Sequence, residues 1–246
     1  ILQTSDKQEA LHRNERKMLN ELIEKLPEFD YMTYNLDLSI KNYLPFIWKG
    51  FTQRSVTSFQ IQWPYDIDNV WENLKSSVRR DIRRAKEELS VEQIENFTEL
   101  YDLVLLTFSR HGKKPPYSES LLKKLCEAAV KRGRASGLKV VDKDSSIHAA
   151  LLIIHDDHES YYLVGGMDPN SKIPGAVSLG LWEGVQLAYK LNNTFDFEGS
   201  SIEPIESFFS SFGAKPIHFH NIQAMSKKYA AIHYGKKLYQ RIFNKK

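Results

Sequence analysis

Ser160-Tyr161-Tyr162-Leu163-Val164-Gly165-Gly166-Met167 runs into Asp168-Pro169-Asn170-Ser171-Lys172-Ile173-Pro174-Gly175-Ala176, and this passage decides the fold. The first half is rich in aromatic and β-branched residues and reads as a strand. The second half carries two prolines and then small residues, the pattern of a loop that delivers a helix start. Upstream lie two further extended runs, Leu138–Lys143 and Ile147–His155. Asp144-Ser145 and Asp156-Asp157-His158 join the three runs, and both are turn-forming sequences. The spacing predicts an antiparallel meander. Downstream the texture alternates: helix from Gly175 to Lys190, strand from Thr194 to Glu198, helix from Ile202 to Phe212, strand from Lys215 to Asn221. A meander followed by such alternation predicts a mixed-sheet fold of the α/β (α+β) kind.

The N-terminal part is organised differently. Residues 4–26 form a helical pattern with the apolar stripe Leu11, Leu19, Leu22, Ile23 and Leu26, ended by Pro27. From Phe29 to Trp63 two or three strands are expected, with Phe59, Ile61 and Trp63 alternating. Ile67, Val70, Trp71, Leu74, Val78, Ile82, Ala85 and Leu89 keep a helical period, so one continuous helix is expected there. Val91–Ile94 reads as a short strand. Asn96 with Glu99, and then Ser118, cap the next two helices, and a last amphipathic helix spans 225–243.

The chain has 246 residues, 41% apolar and 26% charged, with a net charge of +3. That excludes a disordered chain and a global polycation. No apolar run approaches the ~20 residues of a membrane helix, and the start lacks a signal-peptide pattern. The absence of Met at Ile1 is what a fragment would show. A single cysteine, Cys126, excludes internal disulfides and a Cys-rich zinc site, and a reducing cytoplasm fits it best.

Four groups of residues could carry chemistry. A helix start exposes about four unpaired N–H groups and a positive dipole end, so Gly175 and Ala176 would let a pyrophosphate approach and Lys172 would add charge. Pro-Gly at a helix start is also common where nothing binds. On the basic helix, Arg79, Arg83 and Lys86 share a face and Arg80 and Arg84 form an adjacent pair, suited to a diphosphate or polyanion. The alternative is a solvated face paired with Asp81, Glu87 and Glu88. In Asp196-Phe197-Glu198, alternation buries the phenylalanines and turns the carboxylates the other way, which makes Glu198 the first candidate general base and Glu203 the second. Helix capping or an arginine partner would explain those carboxylates equally. Neither His155 with His158 nor His218 with His220 has metal spacing, and no metal is expected. His148, on an inner strand, reads as a satisfied core residue within reach of the site, and Cys126 as packing.

On these residues the chain resembles the GNAT superfamily. There a meander strand and the next parallel strand splay apart to hold the pantetheine of coenzyme A, and the helix between them receives the pyrophosphate. Ser160–Met167 matches the first strand and Thr194–Glu198 the second. Ile205 to Ala214 resembles the closing helix of that family, with Phe209 where a general-acid tyrosine is frequent; the phosphate loop departs from the usual pattern. Thr57–Ile61, Val70–Leu74, Arg79–Lys86 and Phe195–Ser200 resemble the Fem-like branch, which includes peptidoglycan bridge-forming aminoacyltransferases and cellulose-biosynthesis-type acetyltransferases of bacteria.

The resemblance covers about residues 45–222. It implies a GNAT-like acyltransferase core over 91–246, preceded by an abbreviated first GNAT-like half over 1–90. It also implies an acyl donor, acetyl-coenzyme A or another acyl-coenzyme A, held by Val164, Gly165, Gly166, Lys172, Gly175 and Ala176. An amine acceptor would lie near Arg79, Arg80, Arg83 and Asp196, with Glu198 and Glu203 as catalytic candidates. Two alternatives stay open: an aminoacyl-tRNA donor serving a cell-wall precursor, and a binding module without catalysis.

Overall fold

The computed structural model describes residues 4–199 and 202–243. Ser200, the last residue of the Phe195–Ser200 box, lies outside the described residues. The chain falls into two compact units, Thr57–Ile217 and the pair of segments Ile1–Val56 and His218–Lys246. It passes between them inside two strands, β2 (Thr52–Ile61) and β8 (Lys215–Met225). Position 90, at the expected division, lies inside the larger unit within β3 (Leu89–Gln93).

The smaller unit contains α1 (Thr4–Glu24), β1 (Tyr31–Asn35), α2 (Leu44–Trp48) and α9 (Lys227–Phe243). β1 pairs antiparallel with the end of β8, Tyr31 opposite Met225 and Asn35 opposite Asn221. Its core is Leu19, Leu36, Phe46, Phe51 and Ile222. The stretch expected to be strands thus includes one helix, α2, which starts where Pro45 supplies a pre-set φ at its first turn.

In the larger unit the strand order is β2-β7-β6-β5-β4-β3, with β4 (Ala135–Asp142), β5 (Ile147–His155), β6 (Glu159–Met167) and β7 (Thr194–Asp196). The expected meander is present: β4, β5 and β6 pair antiparallel in sequence, and β3 adds to β4. β7 is parallel to β6, reached through α7 (Ala176–Leu191). The sheet is therefore mixed, as expected.

Helices cover both faces. On one side α4 (Ser76–Glu88), α7 and α8 (Glu203–Ser210) bury Ile82, Leu179, Leu181 and Phe209 against Leu151, Phe195 and Phe197. On the other, α5 (Phe97–Ser109) and α6 (Glu119–Val130) bury Leu100, Val104 and Cys126 against Ala150 and Leu152. The caps are those expected: Asn96 accepts from the Thr98 N–H, and Ser118 from the Leu121 N–H.

The single helix expected over 67–89 is instead two, α3 (Ile67–Asn73) and α4, broken at Leu74 and Lys75. Both residues have extended ψ, near 140°, and the Lys75 N–H leaves the helical ladder to donate to Ser211 O at 2.8 Å. Arg79 reaches back to the carbonyls of Trp71 and Glu72, the open C-terminal end of α3. The apolar period survives the break because Val70, Leu74, Val78 and Ile82 still enter the same core.

Candidate functional site at the parting of two strands

β6 is bordered unequally. Along β5 it pairs from Ser160 to Met167, while along β7 it pairs only at Glu159–Thr194, Ser160–Phe195 and Tyr161–Asp196. Past Tyr161 the two strands part, because β7 ends at Asp196 and Phe197 turns its N–H to Phe59 O at 2.9 Å. Residues 162–167 of β6 then have no β7 partner among the described residues. The far end of that edge is closed from α5, where Thr107 Oγ1 accepts from the Met167 N–H at 3.1 Å. A bulge falls at the same place: Ile153 faces Tyr162 and Leu152 faces Val164, so Leu163 is an extra residue, 43% exposed.

Two residues past the last β6–β7 pair stands Glu198. Its φ of 61° is left-handed, an uncommon conformation for a residue with a side chain and one that costs about 1 kcal/mol or more. Two contacts hold it there. The Glu198 N–H donates to Asp196 Oδ1 at 2.7 Å, and Gly199 follows where a Cβ would sit 2.0 Å from Thr57 O. Glu198 is exposed by accessible surface, yet enough protein stands around its carboxyl to desolvate it in part. Burial, with the negative charges of Asp196 and Glu159 nearby, pushes its carboxyl up to about 6.

Asp196 is a different kind of carboxylate. It is 2% exposed, and it accepts from Ser58 Oγ at 2.5 Å and from Gln60 Nε2 at 2.8 Å. With the Glu198 N–H, three donors fill it, so it fastens β7 to β2 and shapes the turn that presents Glu198. Glu203 is exposed on the first turn of α8, where a carboxylate suits the helix dipole.

Tyr162, which has no distinguishing pattern in the sequence, borders the same gap. Its ring packs edge-on against Phe209 at 6.2 Å between centroids, and its hydroxyl lies over Gly165, 2.4 Å from where a Cβ would be. Among the described residues that hydroxyl makes no hydrogen bond. Burial pushes it up to about 12, so it keeps its proton at neutral pH. Gly165 is thus the space that Tyr162 occupies. Gly166 is the space for α5, since a Cβ there would meet the Leu103 backbone at 2.3 Å. Val164 points to the α5 side.

The loop before α7 ends at Gly175, with φ 88° and no side-chain cap on the helix. A Cβ on Gly175 would lie 2.4 Å from Asp81 O, so its smallness lets α4 approach. Ala176 is buried and Lys172 exposed. The arginines of α4 divide. Arg79 caps α3, and Arg83 lies over the Trp71 ring at 5.6 Å, a cation–π contact. Lys86 pairs with Glu183 at 3.9 Å. Arg80 and Arg84 are exposed, with no hydrogen-bond or ion-pair partner among the described residues.

His155 is bonded to Ser136 and Ser160, at 3.1 and 2.9 Å. Cys126 is fully buried and its thiol pushed up to about 11 by that burial, which makes it inert. Among the described residues no group of three His, Cys, Asp or Glu could hold a metal ion, and no helix is long and apolar enough to cross a membrane.

Residues 72–200, more than half the chain, match the family model described as an acetyltransferase (GNAT) domain. No curated protein matches the sequence. Among solved structures, the fold is similar to that of FemX, with a TM-score of 0.70 at 12% identity, covering 88% of this chain and 78% of that one. It is also similar to the C-terminal domain of a putative lysylphosphatidylglycerol synthetase from Agrobacterium fabrum, with a TM-score of 0.55 at 11% identity over 83% and 71% of the two chains. L-PGS from Bacillus licheniformis gives a TM-score of 0.52 at 14% identity over 79% and 67%.

Proposed function

The chain belongs to the GNAT acetyltransferase family, and from that premise we propose that it moves an acyl group, acetyl first, from acyl-coenzyme A directly to an amine acceptor at the gap between β6 and β7. The observation that carries this reading is the parting of the two strands at Tyr161 and Asp196, with an ionisable carboxylate, Glu198, two residues beyond the last pair. Backbone N–H groups along the free edge of 162–166 are donors for the thioester carbonyl and the pantetheine amides, and they strengthen as charge builds on the carbonyl oxygen. Most of the acceleration comes from holding amine and thioester together.

The proton account closes on residues of this chain. The amine nitrogen bonds to the carbonyl carbon as the carbon–sulfur bond breaks, and Glu198 takes the proton from nitrogen. The Tyr162 hydroxyl gives its proton to the departing sulfur. Exchange with solvent returns Glu198 and Tyr162 to their starting states, so the products are an amide and a thiol. The uncapped start of α7, with Lys172, is the proposed seat of the donor's diphosphate. Here the fit is partial, since α4 already packs on Gly175 and the remaining N–H groups of the first turn must serve.

A thermal-shift titration tests the reading. Coenzyme A and acetyl-coenzyme A should raise the melting temperature of the intact chain, and nucleotide sugars should not. A folded protein that no acyl-coenzyme A stabilises would sink it. One observation favours a second reading with an aminoacyl-tRNA donor and a peptidoglycan-type acceptor: Arg80 and Arg84 are exposed cations without partners among the described residues. Steeply salt-dependent tRNA binding would support that donor. Binding without turnover of any donor would leave a binding module on this fold.

A further inference from the structure

His148 on β5 is 8% exposed and sits between two partners. Its Nδ1 is 2.7 Å from Ser171 Oγ, and its Nε2 is 3.1 Å from Asp142 Oδ2. The chain of hydrogen bonds has a direction. A carboxylate only accepts, so Nε2 carries the proton and donates to Asp142. In the tautomer these partners assign, Nδ1 accepts from the Ser171 hydroxyl. That hydroxyl has one proton, and 2.7 Å to the ring beats the 3.3 Å alternative to Ile173 O.

Asp142 is itself held, since its Oδ1 accepts from the N–H groups of Asp144 and Ser146, each at 2.9 Å. These hydrogen bonds, that of His148 first, hold its carboxyl below the usual carboxylate range. At the other end Ser171 belongs to the loop that enters α7, and the start of the same loop is fixed by the Asp168 N–H, which donates to His148 O at 3.0 Å. One histidine therefore grips the loop twice, once by its carbonyl and once by its ring.

We propose that His148, anchored by Asp142, is a positioning residue for the donor site, holding through Ser171 the loop Asp168–Gly175 that carries Lys172 and leads into α7. The role rests on the reading that the donor's diphosphate binds at this loop. It touches donor binding and leaves the proton transfers at Glu198 and Tyr162 alone. Without the grip, loop and Lys172 sample other positions, and the donor must order them on binding.

Coenzyme A titrations with the full chain test it, alongside acetyl transfer to an amine that the wild type accepts. Ser171→Ala and His148→Gln (which keeps an N–H for Asp142 and loses the acceptor for Ser171) should each weaken coenzyme A about 5- to 10-fold, the size of one lost hydrogen bond. Turnover at saturating donor should stay within about twofold. The double variant should be no weaker than either single, because the two residues act as one link. His148→Asn, whose amide oxygen stands where Nδ1 was, should recover most of the affinity. Melting curves check that every variant is folded.

Unchanged coenzyme A affinity in the two single variants, or a fall in turnover with KM unmoved, would overturn the role. So would acylation of Ser171 by the donor, which would make it a nucleophile. A wild type that binds no coenzyme A removes both this role and the reading beneath it. A wild type that binds, with variants that bind equally, removes only this role.

Discussion

The two edges of β6 have opposite fates. On the β5 side pairing runs from Ser160 to Met167, interrupted only by the bulge at Leu163, and on the face that α5 covers Gly166 lets that helix close to the Leu103 backbone. On the β7 side pairing stops after three residues, leaving a free backbone edge bordered by a tyrosine hydroxyl with no partner among the described residues. The same strand serves packing on one edge and leaves donors unspent on the other. An unpaired strand edge is a liability unless something fills it, which is the physical reason to look for the ligand there. The carboxylates at the end of β7 repeat the contrast: Asp196 has three donors and is buried, while Glu198 is accessible and raised to about 6.

The largest expected effect separates those two carboxylates by rate. Glu198→Gln should lower turnover about 10²- to 10⁴-fold with donor affinity kept, the usual range for a lost general base. Only the ionised form accepts a proton, so wild-type turnover should fall as pH drops through about 6, and the variant should lack that limb. The stability effect has the opposite sense. A folded value of about 6 lies above the ordinary 4.5, so neutral Glu198 is favoured in the fold and that contribution is lost as pH rises through about 6. Glu198→Gln should therefore raise the melting temperature at pH 8 and leave it unchanged near pH 4. An equal loss of turnover at Glu203→Gln would break the assignment.

Asp196→Ala should act on the fold first. It strands Ser58 Oγ and Gln60 Nε2 in a buried setting and the Glu198 N–H in a part-buried one, and should cost about 3 kcal/mol of stability by urea melting. If it lost turnover at unchanged stability, Asp196 would belong with Glu198 after all. Next in size come the neighbouring glycines. Gly166→Ala forces α5 away and should cost about 1–3 kcal/mol, whereas Gly165→Ala displaces the end of one side chain, the Tyr162 hydroxyl. Gly165→Ala should therefore lower turnover more than stability, and the reverse order would mean that the Tyr162 side is packed as tightly as the α5 face.

Much of this frame is readable from the chain itself, because local rules and tertiary outcome agree. The meander comes from β-branched alternation and Asp-rich turns, and Asn96 and Ser118 cap as their positions require. The helix break at Leu74 and Lys75 was not readable. Its cause is the Lys75 N–H bond to Ser211 O, distant in sequence, while the apolar period runs on unbroken. The division of labour at the site was hidden for the same reason. Alternation puts Asp196 and Glu198 on one side, but only Ser58 and Gln60 from β2 show which of them is spent. Gly165, Gly166 and Gly175 all suggest a ligand in the sequence, and each has a protein neighbour in the fold. Tyr162 carried no signal, since a tyrosine in a strand reads as packing until its hydroxyl is found unbonded.

The smallest effects concern α4, where the contrast between spent and unspent groups recurs within one helix. Arg79 is spent on the carbonyls of Trp71 and Glu72, so Arg79→Ala should cost about 1 kcal/mol and loosen the α3–α4 corner. Arg80→Ala with Arg84→Ala removes exposed cations that hold nothing within the described residues, and stability should stay within about 0.5 kcal/mol. Their effect belongs to ligands and to low salt. Each lost contact with a polyanion lowers the slope of log affinity against log salt by about 1. Coenzyme A carries few charges and should respond several-fold at most, while tRNA, if it is the donor, should lose a large part of its affinity at low salt. The probe that responds identifies the donor. A response from neither would return Arg80 and Arg84 to an ordinary solvated face and leave the parting of β6 and β7 as the whole of the site.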